Sequence, residues 1–239
     1  MIDLHCHILP GLDDGPAGIE DSVAMARQAE QDGIAVVCAT PHIRHDHVVP
    51  IDALAAHVGA LQHELTERGV GVSIAPGGEL AATEADRLSD TELRLVSLGA
   101  AGGWLLLEPA PGPLGEELED LVRRLKARGY AAIIAHPERH AGADLEQRLG
   151  ALASLGCLIQ WTAAFIAEAG ADDVALHLAR DGLVHLLGSD AHSPRFGRPV
   201  RLAMGFRRLA SVCAPARVAW MRDYAPRAVL GGRALTAAP

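Results

Sequence analysis

Aromatic residues make up only 3% of the 239 positions in this chain, so its core has to be packed from Ala, Val, Leu and Ile. That composition suits buried parallel strands. Cysteine is also scarce: Cys6, Cys38, Cys157 and Cys213 are widely spaced and form no CxxC pair. The spacing argues against a zinc ribbon and a disulfide framework, and reduced thiols are expected. No run approaches ~18 uncharged apolar residues, and the chain opens directly on the strand-like Met1-Ile2-Asp3-Leu4, without a basic stretch or a signal-type apolar region. A cytoplasmic protein without membrane insertion is therefore expected. Clustered basic residues are missing too. With a formal charge of −9, the chain lacks the Lys and Arg that displace counterions from phosphates, and no nucleic-acid partner is expected.

What the chain does have is an apolar fraction of 49%, arranged as short runs alternating with amphipathic stretches. Strands are expected over Ile2–His5, Ala35–Thr40, Val70–Ala75, Trp104–Glu108, Ala131–Ala135, Cys157–Trp161 and Val184–Gly188. Apolar residues at helical spacing mark helices over Glu20–Gln31, Ile51–Glu67, Leu114–Arg128, Asp144–Ser154 and Asp172–Arg180. Gly33, Gly69, Gly129, Gly156 and Gly182 stand between helix and strand, where glycine caps a helix. The length fits one α/β barrel, hence one domain over 1–239, with the Ala- and Gly-rich tail from Arg227 to Pro239 expected to fray. The charged helix Glu20–Gln31 reads as a solvated face, and a homo-oligomer contact there stays open.

Most of these strands end in histidine or carboxylate side chains: His5 and His7, Asp14, His42, Glu79, Glu108, His136, Asp190 and His192. A parallel barrel whose C-terminal rim holds ions needs this arrangement. Residues two apart on a strand point the same way, so His5 and His7 can face one ion. Imidazole and carboxylate together favour manganese, iron or zinc over calcium or magnesium. Such a cluster polarises a phosphoryl oxygen and lowers the pKa of a bound water from ~15.7 to about 7. Arg139, and Arg198 or its neighbour Arg195, are candidates to grip phosphate. Asp3 and Asp13 are left out of the ligand set, with Asp3 expected to orient an imidazole. The other seven histidines, His45, His47, His57, His63, His140, His177 and His185, read for the most part as surface or helix positions. Cys38 and Arg44 satisfy the C-x5-R spacing of thiol phosphatases, but Pro41 removes a cradle N–H and Cys38 lies inside an apolar strand, so the match reads as coincidence.

The segments DLHCHILPGLDDGP, ATPHI, GGEL, LLLEP, AHPER and GSDAH, in that order between Met1 and about Arg198, resemble the polymerase and histidinol phosphatase (PHP) superfamily. Within it they are most similar to the bacterial manganese-dependent protein-tyrosine phosphatases of capsule and exopolysaccharide operons. Many PHP relatives place histidine where this chain has Asp14 and Glu108, whereas the tyrosine phosphatases place carboxylates. The resemblance implies a distorted seven-stranded (β/α)7 TIM-like barrel holding three divalent metal ions, Mn2+ first, with Fe or Zn as alternatives. It further implies that His5, His7, Glu79 and Asp190 hold the first ion. Glu79 would bridge to a second held also by Glu108 and His136, and Asp14, His42 and His192 would hold the third. Arg139 and Arg198 inherit phosphate binding. The implied substrate is a phosphotyrosine protein, a bacterial tyrosine kinase that controls polysaccharide export. A phosphatase for a small molecule such as histidinol phosphate is the alternative, and a metal-stabilised regulatory module without catalysis a further one. The loop carrying Arg44, His45 and His47, and the segment Gln160–Ala164, match the family only loosely.

Overall fold

A computed structural model describes residues 1–140, 142–171 and 173–235. Its strands are β1 (Ile2–Cys6), β2 (Val36–Ala39), β3 (His42–Ile43), β4 (Ser73–Pro76), β5 (Glu79–Ala81), β6 (Trp104–Glu108), β7 (Ala131–Ala135), β8 (Leu158–Thr162) and β9 (Leu186–Gly188). The helices are α1 (Ile19–Gln31), α2 (Leu54–Glu67), α3 (Asp90–Val96), α4 (Glu116–Ala127), α5 (Leu145–Ser154), α6 (Ala163–Glu168), α7 (Val174–Arg180), α8 (Ala203–Leu209), α9 (Pro215–Ala219) and α10 (Ala225–Leu230), with a π-helical turn at Trp220–Tyr224. Asp172, where the helix ending at Arg180 was expected to begin, lies outside the described residues. Strand pairing is parallel throughout, in a three-stranded sheet β1-β2-β4 and a six-stranded sheet β3-β5-β6-β7-β8-β9.

The composition explains these elements. Leu105, Leu106 and Leu107 on β6 and Ile133 and Ile134 on β7 are fully buried, so the strands are apolar on both faces rather than alternating. Helix α4 buries Leu118, Leu121, Val122 and Leu125 and turns Arg123 and Arg124 outward. Each of those apolar side chains contributes about 1.5–3 kcal/mol, and Leu125→Asp would put an unpaired charge into the seam. The five glycines expected to cap helices have φ between 66° and 95°, the left-handed conformation that ends a helix. All four cysteines are free.

Two short strands, β3 and β5, stand beyond the ends of expected strands, which makes nine where seven were expected. The run Ala35–Thr40 stops at β2 and resumes as β3 beyond Pro41, which has no N–H to give to a ladder. The run Val70–Ala75 holds β4, and Gly77-Gly78 separates β4 from β5. A Cβ on Gly77 would lie 2.8 Å from Cys38 Sγ, and one on Gly78 2.7 Å from Ile43 Cγ1, so the neighbouring strand can approach only a bare backbone. The ends of β1 and β9 are laced together: Asp190 N donates to His5 O (2.8 Å) and His7 N to Ala191 O (2.9 Å). Buried Asp3 reinforces that seam, its Oδ1 accepting from His5 N and Ser189 N, each at 3.1 Å.

The expectation of a frayed tail is corrected over most of its length. Residues up to Leu230 continue into α10, where Ala228 and Val229 are buried, and Trp104 Nε1 donates to Arg233 O at 2.9 Å. Residues 236–239 of that tail lie outside the described residues.

Candidate metal centre

The nine ligand-type side chains converge in one linked cluster, most of them just past the C-terminal ends of strands, with His42 and Glu79 opening β3 and β5. Glu79, at the start of β5, is fully buried and central. Its Oε1 lies 3.2 Å from His5 Nε2 and 2.7 Å from His136 Nε2; its Oε2 lies 3.2 Å from His7 Nε2 and 3.0 Å from His42 Nδ1. Sheet register produces part of this, because His42 on β3 pairs directly with Glu79 on β5. His5 and His7 do face one side, with Nε2 atoms 3.4 Å apart. The β1–β9 seam brings Asp190 to them, its Oδ1 being 3.3 Å from His5 Nε2. Asp14, whose side chain is 57% exposed, closes the outer end, with Oδ1 3.5 Å from His42 Nε2 and 3.4 Å from His192 Nε2.

Four groups have ligand atoms close enough to share an ion: His7, Asp14, His42 and His192; His5, His136 and Asp190; His5, His7 and Glu79; and His42, Glu79 and Glu108. The outermost expected set, Asp14, His42 and His192, is thus gathered, with His7 beside it. The expected pairing of Glu108 with His136 is not: Glu108 groups with His42, and His136 with His5 and Asp190.

The donor set fits cations on physical grounds. His136 Nδ1 and Asp190 Oδ1 are buried without a hydrogen-bond partner, a condition that costs about 1–3 kcal/mol per group and that coordination relieves for an atom turned toward the ion. Electrostatics point the same way. Burial alone would raise the Glu79 carboxyl, yet His5, His136 and His42 hold it well below the usual range. Asp190 is likewise lowered, burial being outweighed by His5. The pocket therefore stabilises positive charge among its carboxylates. Two residues that hold carboxylates and imidazoles here, His136 (φ 33°) and Asp190 (φ 49°), sit in the left-handed region, at a cost of about 1–3 kcal/mol each. Ala100 (φ 51°) shares that conformation without being of ligand type.

The residues that orient the imidazoles differ from expectation. Asp3 holds backbone, not an imidazole. The ring of His5 is fixed by Gln160, whose Oε1 lies 2.8 Å from Nδ1, and that of His7 by Asp13, whose Oδ2 lies 2.7 Å from Nδ1. Asp13 also accepts from His42 N and Gly15 N, each at 3.0 Å. The coupling is strong. Burial would depress His7, but hydrogen bonds to Asp13 and Glu79 lift it to about 10; burial would raise Asp13, but His7 brings it down to about 2. A signal for Gln160 stood in the sequence, a lone amide inside the apolar run Leu158-Ile159-Gln160-Trp161.

Arg139 and Arg198 both reach Asp190 Oδ2, Arg198 at 3.1 Å, and Arg198 Nε also donates to Asp190 O at 2.7 Å. Arg195 instead pairs with Asp21 at 3.1 Å on α1, away from the centre. Among the seven histidines read as surface or helix positions, three depart from it. His47 stacks on His42 with ring centroids 5.3 Å apart, His140 is buried and binds Gly112 O through Nδ1 at 2.9 Å, and His185 Nδ1 accepts from Ile159 N at 3.1 Å. Cys38 is buried, with Sγ 3.3 Å from Pro76 O and its thiol pushed up to about 12 by burial, while Arg44 pairs with Asp46 and Glu108. No thiolate cradle forms there.

Residues 1–213 match a family model described as capsular polysaccharide synthesis, CpsB/CapC. Tyrosine-protein phosphatase YwqE of Bacillus subtilis (strain 168) is 31% identical over 199 residues, which span 81% of this chain and 78% of that protein. Tyrosine-protein phosphatase CpsB of Streptococcus agalactiae serotype V is 25% identical over 203 residues, spanning 81% and 83%. In three dimensions the chain aligns with TM-score 0.84 and 26% identity, over 99% of its own length and 96% of the other chain, on a structure from a study of YwqE from Bacillus subtilis and CpsB from Streptococcus pneumoniae, described as unique metal-dependent tyrosine phosphatases.

Proposed function

This chain belongs to the CpsB/CapC family of capsular polysaccharide synthesis, and from that premise we propose that it is a metal-dependent protein-tyrosine phosphatase. The observation that carries the reading is Glu79, fully buried with both oxygens facing imidazoles from β1, β3 and the end of β7. His5, His7, Asp14, His42, Glu79, Glu108, His136, Asp190 and His192 are the metal ligands in this proposal. They would hold three divalent ions, manganese before iron or zinc. The two sheets are read as parts of one distorted seven-stranded barrel, with β2–β3 and β4–β5 as interrupted strands and the β1–β9 hydrogen bonds as its closure, and the chain as one domain.

Bound divalent cations supply a hydroxide near neutral pH and offset charge on the phosphoryl oxygens. The chain's own groups do the rest. Gln160 and Asp13 hold His5 and His7 in the tautomer that leaves each Nε2 turned to the carboxylates. Arg139 and Arg198, which meet at Asp190, grip the phosphate in two-point fashion. A tyrosine phenolate, with pKa about 10 in the free side chain, leaves without strong general-acid help.

The substrate proposed is a phosphotyrosine protein, a tyrosine kinase governing polysaccharide export, met in the cytoplasm. No helix among the described residues is long and apolar enough to cross a membrane. Hydrolysis of a phosphotyrosine peptide with manganese, abolished by a chelator and by His42→Ala or Asp190→Ala, tests the reading. Turnover that survives the chelator contradicts it.

A further inference from the structure

Beside the cluster lies a cavity of about 440 Å3 that Arg139, Arg198, Phe165, Thr162 and Pro199 help to line. Its lining thus includes the pair of guanidiniums that converge on Asp190. Phe165 also lines it, on α6. The chain has only three phenylalanines, and Phe165 leaves 39% of its surface to solvent although it packs on the buried Trp161, ring centroids 6.0 Å apart. A well-supported aromatic ring left exposed in an aromatic-poor protein forgoes burial energy that a neighbouring pocket could have recovered. Its spacing to Arg139 is held as well: Glu138, next to Arg139, accepts from Thr162 N at 3.0 Å and so ties the start of α6 to the turn bearing that arginine.

We infer that Phe165 is the specificity-determining contact for the aryl ring of the substrate, packing against the phenyl group of a phosphotyrosine whose phosphate lies on Arg139 and Arg198. This rests on the phosphatase reading. A phosphate ester of a short alkyl chain, as in phosphoserine, carries no ring to reach Phe165 and gains nothing from it. Offset or edge-to-face contact between the two rings is the interaction expected.

The test uses the manganese-loaded full chain and two non-hydrolysable probes, benzylphosphonate and methylphosphonate, with dissociation constants measured by calorimetry, so that leaving-group chemistry plays no part. The wild-type protein binds benzylphosphonate more tightly than methylphosphonate, and Phe165→Ala reduces that preference by roughly three- to tenfold. Phe165→Trp retains it, and Phe165→Ala raises KM for a phosphotyrosine peptide far more than it lowers kcat. A preference unchanged in Phe165→Ala, in protein that still hydrolyses the peptide, overturns this inference alone. Wild-type protein that fails to hydrolyse the peptide overturns the phosphatase reading and this inference with it.

Discussion

Asp13→Asn is the most informative single change, because Asp13 touches no proposed ion site directly and yet organises two ligands. Its carboxylate accepts from His7 Nδ1 at 2.7 Å, His42 N at 3.0 Å and Gly15 N at 3.0 Å. An amide has one oxygen and cannot serve all three donors. With the NH2 at the Oδ1 position, Gly15 N–H loses its acceptor; with the NH2 at the Oδ2 position, His42 N–H loses one too, and the His7 proton is driven to Nε2, the atom that faces Glu79. An unsatisfied buried donor costs about 1–3 kcal/mol, and changes of this kind beside a metal ligand typically lower metal affinity or activity about 10- to 100-fold. Manganese titration of the purified variant should show a dissociation constant raised by about that factor, with kcat partly recovered at saturating manganese because all nine proposed ligands remain. Affinity and kcat/KM both within about twofold of wild type would refute the idea that the Asp13–His7 pair sets ligand geometry.

Gly188→Ala should act on the same centre by crowding. The new Cβ would lie 2.8 Å from both His5 Cβ and Gln160 Cδ, and overpacking of this kind costs about 1–3 kcal/mol, so Tm by calorimetry should fall by about 2–12 °C together with manganese affinity; an unchanged Tm contradicts it. His185 gives a pH signature. Burial, assisted by Arg217, lowers it to about 4, so the folded state holds it neutral while the unfolded chain protonates near pH ~6.5. Its contribution, up to about 3 kcal/mol, is complete above that pH and is lost as pH falls toward about 4. His185→Asn keeps an acceptor for Ile159 N without the titration, so urea denaturation at about pH 7 and about pH 5 should show a shallower loss of stability in the variant than in wild type; parallel losses would rule this out. Cys38→Ser should leave kcat/KM within about twofold, since a buried thiol held near 12 supplies no nucleophile, and loss of turnover in a folded variant would revive the thiol mechanism.

Most of the parallel α/β order was legible because parallel strands buried on both faces leave continuous apolar runs, such as Trp104–Glu108 and Ala131–Ala135, whose bounds agree with β6 and β7. The breaks were not, because whether Pro41 or Gly77-Gly78 interrupts a strand depends on how closely the next strand approaches. Helix α3 is not among the expected helices, although Ser89 and Glu92 form a capping box, with Glu92 N donating to Ser89 Oγ at 3.3 Å and Ser89 N to Glu92 Oε2 at 2.9 Å; the signature Ser-x-x-Glu is present in the sequence. At the site, the nine candidate ligands that come together were chosen by residue type near strand ends. The orienting partners were not legible, since Gln160 and His5 are far apart in sequence and meet only through sheet order, and the part of Asp13 in orienting His7 shows only once His7 and His42 have positions. The grouping of these side chains was likewise hidden, as Glu108 lies nearer His42 than the motif order suggests.

Crystals grown with manganese and measured for anomalous scattering test the central claim most directly. Peaks within coordination distance of the nine side chains, with Glu79 touching two ions, are the result expected. Manganese absent from this cluster, in protein that still hydrolyses phosphotyrosine, would contradict it.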